Sequence, residues 1–152
     1  MSLRQLLGLT FLAACVMGFT TTSETWADKD GTGRPFKGSG VGIVVDQIPP
    51  NGLVLEWVGT ATHLGAFTRT EYVFFNADGV SFQGNMIFEA ANGDLLYLDF
   101  SGAFETPTDA FGTYTFSGGT GRFEDASGEA DFHAYTDDLI NATVTFEGTI
   151  NY

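Results

Sequence analysis

The chain has 152 residues, enough for one domain on the usual size scale, and it is rich in glycine (20 residues) and phenylalanine (15 residues). Six Lys and Arg stand against 19 Asp and Glu, a formal charge of −13 that repels nucleic acid and anionic lipid headgroups. A single cysteine excludes a disulfide framework within the chain and leaves packing to hold the fold.

Residues 1–27 read as an export leader. Arg4 supplies a thin positive start, and Leu6 to Phe19 form an apolar run too short to span a membrane. Thr25-Trp26-Ala27 offers a small-residue cleavage site that leaves Asp28 first. Leu12-Ala13-Ala14-Cys15 offers the alternative, a lipobox that would anchor the protein through lipidated Cys15. Either route predicts an exported protein, extracellular or periplasmic, with no membrane span. Cleavage at Ala27 leaves no cysteine and so no thiol nucleophile or thiolate metal site.

Residues 28–37 (DKDGTGRPFK) read as a flexible polar arm, and residues 38–152 as the folded domain. Asp28-Lys29-Asp30-Gly31 resembles the start of a calcium loop, but the later ligands are missing. From Gly38 onward the hydrophobic period is two, with no helical periodicity. Gly38 to Gln47 alternates Ser39, Val41, Ile43 and Val45 against glycines. A Pro49-Pro50-Asn51-Gly52 turn leads to a second strand, Leu53 to Leu64, with Leu53, Leu55, Trp57, Gly59, Ala61 and His63 on one face. The third, Ala66 to Phe75, places Phe67, Arg69, Glu71, Val73 and Phe75 together. Asn76-Ala77-Asp78-Gly79 is a hairpin loop with its glycine at the left-handed position. The fourth strand, Val80 to Ala90, alternates Val80, Phe82, Gly84, Met86 and Phe88. The fifth, Asp94 to Glu105, alternates Leu96, Leu98, Phe100, Gly102 and Phe104. The sixth is Ala110 to Ser117 and the seventh Ser127 to Tyr135. The eighth, Ile140 to Asn151, sets Ile140, Ala142, Val144, Phe146, Gly148 and Ile150 against Asn and Thr.

Eight strands of this length joined by tight turns form an antiparallel meander, and a meander this long removes its edges by closing. The fold predicted is all-β, an eight-stranded antiparallel up-and-down barrel of calycin-like form. A two-sheet sandwich would need longer cross-connections. The Gly-x-Trp mark of a lipocalin first strand is absent.

Before the seventh strand stands Gly118-Gly119-Thr120-Gly121-Arg122-Phe123-Glu124-Asp125-Ala126-Ser127-Gly128. Its glycines permit positive φ, and Phe123 with Ala126 can pin a one-turn helix against the barrel end. Gly118, Gly119, Gly121, Phe123 and Gly128 together resemble a motif of allene oxide cyclase and dirigent barrels. The resemblance is closer to the bacterial allene oxide cyclase barrel-like domains. Thr62-His63-Leu64-Gly65 and Ala91-Asn92-Gly93-Asp94 resemble further elements of that group. The resemblance implies the barrel, export from a bacterial cell, and a homo-oligomer, for which Leu95 and Tyr97 supply outer apolar contacts. The catalytic motifs of plant allene oxide cyclases, and the lumen acids and arginines of dirigent proteins, find no match here, so no catalytic residue is carried over.

No nucleophile motif is present, and the two histidines lie in different strands, so neither a metal nor a cofactor is expected. His133 alternates with Glu129 and Asp131 on the polar face and reads as a surface histidine. Asn141-Ala142-Thr143 is a sequon placed in a strand. In the lumen, Trp57, His63, Phe82, Met86 and Phe100 are the candidate ligand contacts. His63, Arg69 and Glu56 are the candidate polar or catalytic groups. His63 could equally cap a hairpin; Arg69 and Glu71 share a face, where a cross-strand ion pair is the default and an inward Arg69 with Glu56 or Glu71 would make a charged site in the lumen. Two readings follow. One is an exported barrel that binds a small apolar molecule or serves as a structural module. The other is a cyclase or isomerase acting in the lumen, which requires a cavity of a few hundred Å3 in which polar groups converge.

Overall fold

The computed structural model describes residues 33–152. The expectations for the leader, the Ala27 cleavage site, Cys15 and Asp28 to Gly31 lie outside these residues. The described chain is all-β: β1 (Arg34–Ile48), β2 (Gly52–Ala61), β3 (Gly65–Phe75), β4 (Ser81–Glu89), β5 (Leu95–Phe104), β6 (Asp109–Gly119), β7 (Ser127–Tyr135) and β8 (Asn141–Asn151). Each strand pairs antiparallel with the next, and β8 returns to β1, so the barrel is closed and up-and-down. Among the described residues the only helical turn is the 3-10 segment Gly121–Phe123 between β6 and β7.

β1 starts at Arg34, four residues before the predicted Gly38. Arg34, Pro35, Phe36 and Lys37 pair with Ile150, Thr149, Gly148 and Glu147 of β8. Phe36 explains the longer strand, because it is wholly buried against Phe116 and Phe146 (ring centroids 4.9 and 5.2 Å). Pro35 and Lys37, which gave the segment its polar look, lie on the outer face of the same pleat.

β1 is turned opposite to its hydrophobic pattern. Val41, Ile43 and Val45 point to solvent, as does their neighbour Val58 on β2. The glycines point inward, since the large rings that fill the lumen come from other strands. A Cβ on Gly42 would stand 2.2 Å from Trp57 Cδ2, and one on Gly38 would stand 2.4 Å from Phe146 Cζ. Small residues on one strand thus make room for aromatic rings on its partners.

The two ends of the barrel differ. At the end carrying the β2–β3, β4–β5 and β6–β7 connections, Phe36, Phe67, Phe88, Phe123, Leu64 and Leu96 pack without exposure to speak of. Edge-on and stacked rings join them, including Phe67 with Phe88 at 4.8 Å and Phe123 with Tyr152 at 5.0 Å. The glycine-rich link closes this end. Gly118, Gly121 and Gly128 adopt positive φ (112°, 57° and 120°). Gly119 does not; it is glycine because a Cβ would stand 2.1 Å from the Leu95 carbonyl oxygen. The backbone N–H of Thr120 donates to that oxygen, and Thr120 Oγ1 accepts from Leu95 N–H. The link is thereby laced to β5, and Phe123 and Ala126 are pressed into the plug.

Candidate functional site

The opposite end is open. A cavity of about 670 Å3 runs from the β3–β4, β5–β6 and β7–β8 turns down to the middle of the barrel. Its walls are apolar, with Leu55, Val73, Phe82 and Val144 among them. Its mouth carries exposed Val80, Leu139 and Ile140, and Leu139 holds a left-handed backbone (φ 60°). Aromatic packing seals the other end, so the lumen is half filled and half empty.

The floor of the cavity is polar. β3 continues its alternation through Arg69 and Glu71, so both side chains turn inward with Phe67 and Val73. Arg69 is 2% exposed and Glu71 8%. Arg69 Nη2 donates to Glu71 Oε2 at 2.5 Å, and Nη1 donates to Tyr114 Oη at 3.0 Å across the barrel on β6. The guanidinium lies 4.2 Å from the Trp57 ring centroid, and Gly42 leaves room for that indole on its other side. Such a pair is retained in an apolar lumen only when its charges are matched and hydrogen-bonded.

The cluster is incompletely satisfied. Trp57 Nε1 and Arg69 Nε are buried donors with no hydrogen-bond partner. Trp57 Nε1 lies near the Glu71 carboxylate and favours its charge without making a hydrogen bond to it. Among the described residues the carboxylate accepts only the Arg69 hydrogen bond, so acceptor capacity remains. Burial pushes the Glu71 carboxyl above its ordinary value, and the attraction and hydrogen bond of Arg69 oppose the rise. Burial likewise lifts the Tyr114 phenol to about 12, so it stays protonated across the accessible pH range.

The three charged or titratable candidates separate. Arg69 is in the lumen, as its strand pattern predicted. Glu56 is not. The parity that turns Leu55 and Trp57 inward turns Glu56 outward, onto an open groove over the outer faces of β1 to β3. His63 is not in the lumen either. β2 ends at Ala61, and His63 occupies the β2–β3 turn with φ 66°, so the alternation no longer holds there. Its Nε2 donates to the Pro35 carbonyl at 3.0 Å, and its ring meets Tyr152 edge-on at 5.6 Å. Its own carbonyl accepts from Arg122 Nη2, which ties the turn to the plug. His63 caps a hairpin at the closed end.

Of the apolar candidates, Trp57 and Phe82 line the cavity. Met86 and Phe100 also face inward, but packing buries them beyond the cavity wall. Glu71 is the partner that the shared face of β3 offers Arg69, and Tyr114 is the contributor that the sequence reading missed. Tyr114 belongs to an inward run with Ala110 and Phe116, which a period-two reading of β6 contains. Its partner Arg69 lies 45 positions earlier, and only barrel closure brings them together.

His133 lies on the outer face of β7, where its ring stacks on Phe111 at 4.5 Å. Its Nε2 donates to Asp109 Oδ1 at 2.9 Å. The hydroxyls of Thr108 and Thr106 donate to Asp109 Oδ2 and, with His133, hold its carboxyl down at about 2. No three His, Cys, Asp or Glu side chains cluster as metal ligands among the described residues.

The sequence matches no protein-family model and no curated protein. Among solved structures, the chain resembles the pterocarpan synthase dirigent protein GePTS1 with a TM-score of 0.50 and 13% sequence identity. The match covers 78% of this chain and 84% of that one. At this identity the likeness shows a shared barrel fold; chemistry is argued from the site.

Proposed function

We propose that this chain is an exported barrel that takes a small apolar molecule into its open half. The observation that carries the reading is the cavity itself. Its size and apolar walls suit a small-molecule site, and its polar groups are few and converge at the floor. A purely structural barrel has no use for a buried Arg69–Glu71 pair beneath an empty chamber, because well-packed apolar residues would stabilise that position at least as well. Trp57 lies in the cavity wall and reports occupancy. Titrating the mature protein with apolar probes should change the Trp57 emission in a saturable way. An emission that no probe alters, with no ligand co-purifying in native mass spectrometry, would overturn the proposal.

The floor also supports a second reading, a cyclase or isomerase. Glu71 has a raised carboxyl pKa, opens slightly to the cavity and has a guanidinium beside it, which suits transfer of a proton to or from a bound molecule. Turnover of a bound substrate that Glu71→Gln abolishes without abolishing binding would favour this reading over simple carriage.

Export is part of the proposal and rests on the leader. Mass spectrometry of the native protein should find a start at Asp28 or a lipid-modified Cys15, and an intact Met1 rejects both. A homo-oligomer is also proposed, and its contact face is better sought at Val41, Ile43 and Val58 than at half-buried Leu95 and Tyr97. Light scattering separates monomer from oligomer.

A further inference from the structure

The unmet hydrogen-bonding groups at the cavity floor define what kind of molecule completes them. The Arg69–Glu71 pair is neutral as a unit, and among the described residues no other charged side chain lies in the depth of the chamber; Glu105 stands at its mouth. A ligand that brings a net charge to this floor places it unpaired in an apolar lumen, which is strongly unfavourable. The overall charge of −13 adds a penalty against anions.

Both kinds of hydrogen-bonding capacity stand open. Glu71 accepts one hydrogen bond and has room for more, and its side chain, 10% exposed, is more open than that of Arg69 at 1%. Trp57 Nε1 and Arg69 Nε are donors without acceptors. An ether or ketone would serve the donors and leave the carboxylate unmet. An ammonium would serve the carboxylate, leave the donors unmet and stand beside Arg69. A second carboxylate would face Glu71. A hydroxyl donates one hydrogen bond and accepts others, carries no charge, and fits the whole set.

We infer that the cavity selects uncharged alcohols, an apolar body filling the chamber and its hydroxyl donating to Glu71 while it accepts from Trp57 or Arg69. This rests on the apolar-ligand reading above and narrows it. Because the two N–H groups are covered, engaging them requires a small turn of the indole or guanidinium, which the emission of Trp57 reports.

The test uses the mature chain and four probes that share a decyl body: decanol, decyl methyl ether, decanoate and decylammonium. Trp57 emission and calorimetry at pH 7 should rank decanol about tenfold or more above each of the others, as expected when a buried polar group is left unpaired. In Glu71→Gln the floor gains a net positive charge, and the decanol-to-decanoate preference should shift by about tenfold or more toward decanoate. A merely structural role for Glu71 would lower all affinities together. Circular dichroism checks that the variant folds; if it does not, the wild-type ranking decides. Equal binding of all four probes, or decanoate or decylammonium ranked first, overturns the alcohol inference and leaves the apolar cavity standing. An unchanged ranking in folded Glu71→Gln also overturns it. Failure of every probe to bind removes the apolar-ligand reading and the inference with it.

Discussion

Replacing Arg69 by methionine isolates the polar floor of the barrel. Methionine keeps a long apolar stem but loses the charge, the 2.5 Å bond to Glu71, the 3.0 Å bond to Tyr114 and the stacking on Trp57. Removing one partner of a buried ion pair costs about 3–5 kcal/mol, mostly because the other charge is stranded. Glu71 retains a narrow opening to the cavity, so the low end applies, about 3 kcal/mol. For a barrel of this size each kcal/mol moves the melting temperature by about 4 °C, so Arg69→Met should melt about 12 °C lower at pH 7. The pH dependence follows from Glu71. Its carboxyl already sits above its ordinary value, and losing Arg69 removes the largest of the influences that oppose the rise. A folded-state pKa above the unfolded one means that folding is favoured while the group is protonated and loses that contribution as pH rises through the folded value. The deficit of Arg69→Met should therefore shrink as pH falls from 7 toward 4. Arg69→Met with Glu71→Leu removes both charges and should recover most of the loss. Thermal melts followed by circular dichroism at the two pH values decide the matter. A single-variant deficit below about 1 kcal/mol, an equal deficit at both pH values, or a double variant no better than the single would refute the reasoning.

Gly42→Ala puts a methyl 2.2 Å from Trp57 Cδ2, so the indole must move; the cost should be about 1–3 kcal/mol with a shifted Trp57 emission, and an unchanged spectrum would reject the packing described. His63→Gly loses the bond to Pro35 but relieves a left-handed backbone, so stability should change by less than about 1 kcal/mol and probe affinity should hold; a clear loss of affinity would return His63 to the lumen. Carboxyl-carbon NMR should find Asp109 titrating near 2, and Thr108→Ala should raise that midpoint. A depressed folded-state pKa contributes stability above the ordinary carboxylate value and loses it as pH falls toward 2, opposite in sign to Glu71.

Strand count, order and closure were legible because a period of two survives in every strand from β2 to β8. Errors came where a turn or a neighbour overrode that period. His63 continued the pattern of β2 on paper, but the strand stops at Ala61 and a left-handed turn redirects the side chain. The four residues from Arg34 to Lys37 looked like a polar arm, yet buried Phe36 draws them into β1. The outward valines of β1 were legible as a face, but not as the outer face, since inward volume is set by Trp57 and Phe146 from β2 and β8. Arg69 was legible from its own strand. Tyr114 was not, because its meeting with Arg69 depends on register accumulated around the barrel.

The sealed end gives the chamber one doorway for both arrival and departure. Whatever enters must displace its own volume of water back past itself, and an occupant could not leave ahead of the next arrival. Exchange of an occupant would therefore be paced by the β3–β4, β5–β6 and β7–β8 hairpins at the mouth. Leu139, exposed and held in an uncommon backbone state, stands at that threshold. Changes to those hairpins could retune residence time without disturbing the aromatic plug that keeps the vessel shut below.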